Sequence, residues 1–287
     1  YPVIFTRQDF MNFTMIMSEV KRWRNAIAES GIIHVPLGIR LSVNRDIISL
    51  PFMNDVGKNI AILGSAENLQ KQNIVPGQTN MAVGMVQGIC LALALQHPDG
   101  NARFIFIDGL RQDVSQNSNI RRWSQLMERF GFPVELINVS EAVEWLSGFK
   151  QEINDCCEYE DTYIICLGMD RFSNFTEMNL CGESGADIFQ QLLKCGTKGV
   201  HFICWWSNVS TYKTHLGFGN DGYFETKILL RMDTDTSRDV LGPFISWSVR
   251  ENRAYVHDSS ELPADEVVIP LIPMDNRTCG IVESEEW

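Results

Sequence analysis

The sequence predicts an α/β fold: a mainly parallel sheet covered by helices on both faces, with an antiparallel extension at its C-terminal side. Three observations carry this. Short continuous apolar runs, Ile60–Leu63, Arg103–Asp108, Val134–Val139, Thr162–Gly168 and Val200–Trp206, alternate with helical patterns, and strands apolar on both faces belong to parallel sheets buried on both sides. The stretch from Asn59 to Gln96 reads as strand, glycine-containing loop and long apolar helix, the layout in which a helix N-terminus cradles phosphate. After Ser207 the pattern changes to strands with short connections, as in an antiparallel edge. No linker or repeat divides residues 1 to 287, so a single domain is expected.

The elements follow in order. Thr6-x-x-Asp9 has the form of a capping box, and Phe10, Phe13, Met17, Val20 and Ile27 then recur at helical spacing until Gly31. Ile32–Ile39 and Asp46–Phe52 are β-prone runs leading to the strand Ile60–Leu63. A helix is predicted over Thr79–Gln96 and another over Asn119–Phe130, closed by Gly131 and Pro133. Ser140 is read as the cap of a helix reaching Asp155, and Ser184-x-x-Asp187 opens one that Gly196 ends. In the tail, Thr226–Met232, Phe244–Val249, Ala254–His257 and Val267–Pro273 read as strands, and the acidic end Glu283–Trp287 as a solvated tail.

Composition bounds the function. At 287 residues, 45% hydrophobic and 10% aromatic, the chain can bury a large core. A formal charge of −12 argues against a surface that holds nucleic acid. The basic pairs, Lys21-Arg22 with Arg24 and Arg121-Arg122, lie far apart and read as solvated helix faces. No apolar run approaches the roughly 20 residues that span a bilayer. The chain opens on Tyr1 without a signal-peptide pattern, as a piece of a longer chain would. The 8 cysteines show no Cys-x-x-Cys, Cys90, Cys166 and Cys204 look like core residues, and the 5 histidines have no ligand spacing, all of which favours a reduced compartment. Asn12, Asn138, Asn174, Asn208 and Asn276 each begin an Asn-x-Ser/Thr triplet, which keeps a secreted binding domain open.

The loop after Leu63 departs from the phosphate-binding pattern Gly-x-x-x-x-Gly-Lys-Ser/Thr. Gly64 and Gly77 are too far apart, and Gln78 stands where a lysine would reach the β and γ phosphates, although Thr79 offers the hydroxyl. Asp108, at the end of a strand, reads equally as a ligand contact or as a cap of the loop after it. Trp205 and Trp206 are consecutive and point to opposite faces of a strand. With Tyr212 and Phe218 on the following glycine-rich stretch they make a candidate recognition surface at the strand ends.

A family resemblance joins these pieces. Val35-Pro36-Leu37-Gly38-Ile39, Gly77-Gln78-Thr79-Asn80-Met81, Gln96-His97-Pro98, Phe104–Gly109, Gly168-Met169-Asp170-Arg171-Phe172-Ser173, Lys194–Trp206 and Lys227–Gly242 follow one another as the blocks of FtsK/SpoIIIE motor domains do. The chain most resembles the ATPase modules of type VII secretion coupling proteins of the EssC/EccC kind, and the likeness runs over nearly its whole length.

The resemblance implies a RecA-like P-loop NTPase fold, a phosphate site at Gly64, Gly77, Gln78, Thr79 and Asn80, and a magnesium-shell acid at Asp170. Arg171 takes the place of the water-activating glutamate. An arginine cannot accept a proton, and Trp206 and Ser207 replace the family's polar sensor. Loss of the lysine, the base and the sensor together points to a degenerate module with no catalytic residues and at most weak ATP and magnesium binding. Its role would be substrate recognition or regulation of secretion; an active ATP-driven DNA or protein translocase is the alternative. The implied partners are WXG-type secreted substrates, at Trp205, Trp206, Tyr212 and Phe218, and neighbouring ATPase domains in a hexameric full-length protein. The implied setting is the cytoplasmic part of a membrane-anchored bacterial protein.

Overall fold

The structure is a computed structural model that describes residues 11–41, 46–66, 80–97, 100–110, 120–155, 160–179 and 182–287. The proposed capping box at Thr6 and the loop residues Gly77, Gln78 and Thr79 lie outside the described residues.

The described strands are β1 (Ile33–Arg40), β2 (Ile47–Phe52), β3 (Ile60–Leu63), β4 (Ala102–Asp108), β5 (Val134–Asn138), β6 (Asp161–Leu167), β7 (Val200–Trp206), β8 (Thr226–Leu229), β9 (Ala254–Asp258) and β10 (Glu266–Ile269). They form one ten-stranded sheet in the order β2-β1-β10-β9-β8-β3-β7-β6-β4-β5. From β8 to β5 every pairing is parallel. From β8 to β2 every pairing is antiparallel. The chain leaves β3 for one edge of the parallel half and returns through β6 and β7, so the strand order reverses around β3, where α/β sheets open a ligand crevice.

Period-two alternation explains why these strands read as unbroken apolar runs. Ile60 and Ile62 of β3 enter one hydrophobic cluster, Ala61 and Leu63 the other; Phe104 and Phe106 of β4 face the first, Ile105 and Ile107 the second. Helices α1 (Met17–Ser30), α2 (Met81–Leu95), α3 (Ile120–Arg129) and α8 (Asn276–Ser284) supply the first cluster. Helices α4 (Ala142–Asp155), α5 (Gly185–Leu192), α6 (Val209–Leu216) and α7 (Thr234–Leu241) line the second. Helix α2 is buried along all its length, which its composition of apolar and small residues permits. Gly84 and Gly88, one turn apart, let the C-terminal chain cross it: a Cβ on Gly84 would lie 2.3 Å from the Ile272 carbonyl carbon, and one on Gly88 2.3 Å from Leu271 Cδ1.

The tail differs from its sequence reading. β8 joins the two halves, antiparallel to β9 as expected of the extension but parallel to β3 on its other side. Phe244–Val249 forms no strand. The edges of the sheet lie at β2 and β5, so no ladder is open to it, and it is pinned by Trp247, whose buried indole N–H donates to the Leu230 carbonyl at 2.7 Å. The acidic end is docked, not solvated. Glu283 pairs with Arg122 and Arg129, Lys21 Nζ meets Glu285 Oε2 at 2.6 Å, and Trp287 meets the Phe130 ring edge-on. These acids pair with two of the basic helix positions the sequence singled out, Lys21 and Arg122.

Two further corrections concern helix starts. Asn138, not Ser140, caps the turn before α4, taking the Ser140 N–H at 3.0 Å. Helix α5 begins in the expected capping box but ends before Gly196, which lies in a following 3-10 turn. Cys90, Cys166 and Cys204 are buried and free, as expected of core residues. No helix among the described residues is long and apolar enough to cross a membrane.

Candidate functional site

A cavity of about 310 Å³ opens at the C-terminal ends of the parallel strands. Ser65 and Ala66 follow β3, Gly109 and Leu110 follow β4, and Gly168, Asp170 and Arg171 follow β6. Trp205 is the penultimate residue of β7, Ser207 lies just beyond that strand, and Asn80 immediately precedes α2. Such a volume is at the lower end of small-molecule pockets, roughly 300 to 1,000 Å³.

Backbone geometry builds the walls. Gly64 turns the chain out of β3 at a φ of +102°, its N–H bonded to the Trp206 carbonyl at 2.9 Å; only glycine takes that conformation without strain. The loop's described ends meet where Met81 N–H donates to the Ala66 carbonyl at 3.1 Å. Gly109 and Gly168 bring the ends of β4 and β6 together, and a Cβ on Gly168 would lie 2.5 Å from the Gly109 carbonyl oxygen. Asp108 accepts the Leu110 N–H at 2.9 Å and so caps the turn after β4.

Asn80 is the N-cap of α2, and its Oδ1 accepts the Val83 N–H at 3.0 Å. That bond fixes the orientation of the amide. The Nδ2 group, in a side chain only 3% exposed, has no hydrogen-bond partner among the described residues. A buried donor left without an acceptor costs about 1–3 kcal/mol.

Asp170 sits in a 3-10 turn after β6, and its carboxylate is already engaged. Oδ2 accepts the Ser207 N–H at 2.6 Å and the Ser207 hydroxyl at 2.7 Å, while Oδ1 accepts the Asn208 N–H at 3.2 Å. Asn208 is itself the N-cap of α6, with Oδ1 taking the Ser210 N–H. Asp170 therefore ties the end of β6 to the start of α6, where a negative charge also suits the helix dipole. Arg171, exposed at the cavity lip, makes no ion pair among the described residues. A magnesium ion needs oxygen donors with free lone pairs. Asp170 is committed to three N–H or O–H donors, its neighbour is a cation, and no cluster of three acidic, histidine or cysteine side chains is placed for a metal among the described residues. These residues do not fit magnesium.

The four aromatic residues expected to form one recognition surface separate. Trp206 is fully buried under α6, its indole N–H donating to His215 Nδ1 at 3.2 Å and its ring edge-on to Tyr212 and Phe224. Tyr212 is buried too, its hydroxyl on Asp221 Oδ1 at 2.5 Å. These two are core, because the segment taken as an open loop is the helix α6 and it covers them. Burial holds His215 at a pKa of about 4, consistent with an unprotonated Nδ1 that accepts from Trp206. Trp205 faces the other way, half-buried on the cavity, its N–H on the Gly64 carbonyl at 2.9 Å. Phe218 stands fully exposed beyond the end of α6. Sequence reasoning missed Ser207 and Asn208 as the partners of Asp170. The signal for them was the Asn208-x-Ser210 triplet, which is also a helix cap.

No protein-family model matches the chain, and no curated protein does. Solved structures do. The cytoplasmic domain of EssC superposes with a TM-score of 0.53 at 12% identity, covering 94% of this chain and 48% of that one. The pCW3 conjugation coupling protein TcpA, in its monomer form with ATPγS, gives 0.52 at 10% identity over 88% of this chain and 70% of its own. A further ATPase gives 0.55 at 9%, over 95% and 99%. The chain thus spans about half the length of the EssC structure and nearly all of that ATPase. At such identities the likeness is one of fold: the chain has the α/β fold of these coupling-protein and ATPase structures, the fold that the order of the sequence blocks implied.

Proposed function

We propose that this chain is a non-hydrolysing FtsK-like module of a type VII secretion coupling protein, working as a binding and regulatory element beside neighbouring ATPase domains. The observation that carries this reading is the engagement of Asp170. In a working motor the corresponding acid holds the magnesium shell and a neighbouring glutamate orients the attacking water. Here the acid is spent on Ser207 and Asn208, and Arg171 offers no proton acceptor. A cytoplasmic position, a membrane-anchored parent chain and a hexameric assembly belong to the same reading.

Partner recognition falls to the exposed part of the former aromatic set. Phe218, exposed on the turn after α6, is offered as the anchor for a helical secreted substrate of the WXG type.

Phosphate release from magnesium-ATP tests the central point. The chain should release phosphate far more slowly than an intact FtsK-type domain under the same conditions. Comparable release that is abolished by Thr79→Ala would establish an active motor and remove this reading. Titration of a cognate substrate against Phe218→Ala tests the anchor, with a loss of about 2 kcal/mol expected; unchanged affinity would exclude it.

A further inference from the structure

We infer that the seat on α1 and α3 filled by Glu285–Trp287 is a docking site for an acidic, aromatic-bearing segment of a partner protein, which the chain's own segment holds closed in cis. The seat uses none of the residues that line the cavity, and the inference does not rest on the non-hydrolysing reading.

The seat is basic and aromatic. Lys21 comes from α1, Arg122 and Arg129 from α3, and Phe130 from the residue after α3. These cations lie together on a chain whose net charge of −12 repels acids elsewhere. The occupant is complementary to them, with acids at 283 and 285 and a ring at 287. Glu283 pairs with both arginines. Lys21 Nζ meets Glu285 Oε2 at 2.6 Å and lies 5.2 Å from the centroid of the Trp287 ring. Phe130 receives that ring edge-on, with centroids 6.3 Å apart.

The occupant can leave without unfolding the helix that carries it. Helix α8 is anchored by Thr278, Cys279 and Val282, all buried, and Glu285 departs from it in extended conformation at φ −81° and ψ 146°. Among the described residues no backbone group of Glu285–Trp287 bonds to α1 or α3. The Glu285 N–H and the Trp287 indole N–H both return to the Val282 carbonyl of their own helix. Glu285 and Glu286 are exposed and Trp287 is half-buried. Side chains alone therefore hold these three residues on the seat, through one solvent-open ion pair and two ring contacts. An exposed ion pair contributes little net stability, so a partner segment with the same groups can take its place. Arg129, with a side chain 59% exposed, stays open to steer an acidic partner in.

The experiment is fluorescence anisotropy of a labelled peptide of residues 280–287, titrated with the full chain. The parent chain should bind it weakly, because its own segment competes at high effective concentration. Glu285→Ala together with Trp287→Ala empties the seat and leaves the buried face of α8 intact. This double variant should bind the peptide roughly tenfold or more tightly than the parent does, and adding Lys21→Glu should abolish the gain. Urea unfolding of each variant separates loss of fold from loss of binding. A peptide carrying Glu283→Lys, Glu285→Lys and Glu286→Lys should not bind, and binding of the native peptide should weaken as salt is raised. Equal binding by the parent and the emptied chain, a gain that survives Lys21→Glu, or no binding by a folded emptied chain would overturn the inference. A parent chain whose mass in light scattering rises with concentration, while the emptied variant stays monomeric, would give the seat to a second copy and overturn the assignment to a partner.

Discussion

The two ends of the parallel strands are built to opposite standards. At the N-terminal end the polar groups interlock. His97 Nε2 lies 2.9 Å from the Tyr163 hydroxyl, and His201 is held between the Lys58 carbonyl at 2.8 Å and the Asn54 side chain at 3.0 Å. Asn54 donates to Asp161 at 2.7 Å, and Lys58 is paired with Glu261 and Glu225 at 2.7 and 3.1 Å. Asn59, fully buried, accepts the Phe202 N–H and donates to the Tyr223 carbonyl, both at 2.7 Å. At the C-terminal end, 310 Å³ stays open, Asn80 keeps an orphaned donor, and Arg171 keeps an unpaired charge among the described residues. Buried polar groups are satisfied as a rule, so the finished end reads as scaffold and the unfinished end as the place for a ligand.

The comparison can be broken at single residues. The largest effect is expected at the C-terminal end of β7, where neighbouring tryptophans point to opposite faces of the sheet. Trp206→Ala should cost about 4 kcal/mol in urea unfolding, as for a fully buried large aromatic. Trp205→Ala, at a half-buried ring on the cavity wall, should cost much less. Equal losses of stability would erase the distinction between core and cavity.

Asn59→Ala comes next. It strands two buried backbone groups and should cost about 3 kcal/mol in urea unfolding. Unchanged stability there would show that the closed end is not scaffold.

Acid is the milder probe. Burial lowers the pKa of His97 and His201, and that of His215 to about 4, against an ordinary 6.5. These rings are neutral in the fold and take protons more readily when unfolded. Their contribution is therefore whole above pH 6.5 and is lost as pH falls below it, in the case of His215 down to about pH 4. Each can remove up to about 1.4 kcal/mol per pH unit. His97→Gln and His201→Gln should flatten the slope of stability against pH between 6.5 and 5; an unchanged slope would assign it to other groups.

Much of this was legible in the residues, and the gaps have physical reasons. The strands β3, β4, β6 and β7 announced themselves because burial on both faces removes polar interruptions. β8 did not reveal its second, parallel neighbour, since nothing in Thr226–Leu229 distinguishes a parallel partner from an antiparallel one. Helices α6 and α8 were missed because they are short and mixed in composition, and their caps at Asn208 and Asp275 begin or adjoin triplets that also resemble glycosylation signals. At the site, Asp170 and Asn80 were visible from the order of the blocks. What they do was not, because the bond from Asp170 to Ser207 needs β6 and β7 side by side, and an orphaned donor exists only once its surroundings are packed.

The most direct measurement is Asp170→Ala, read both by urea unfolding and by titration with ADP in EDTA and in magnesium. If Asp170 serves to hold Ser207 and Asn208, the variant loses at least about 1 kcal/mol of stability and its response to magnesium is that of the parent chain. Unchanged stability, with magnesium-dependent nucleotide binding that disappears in the variant, would make Asp170 a metal ligand and contradict the non-hydrolysing module at its centre.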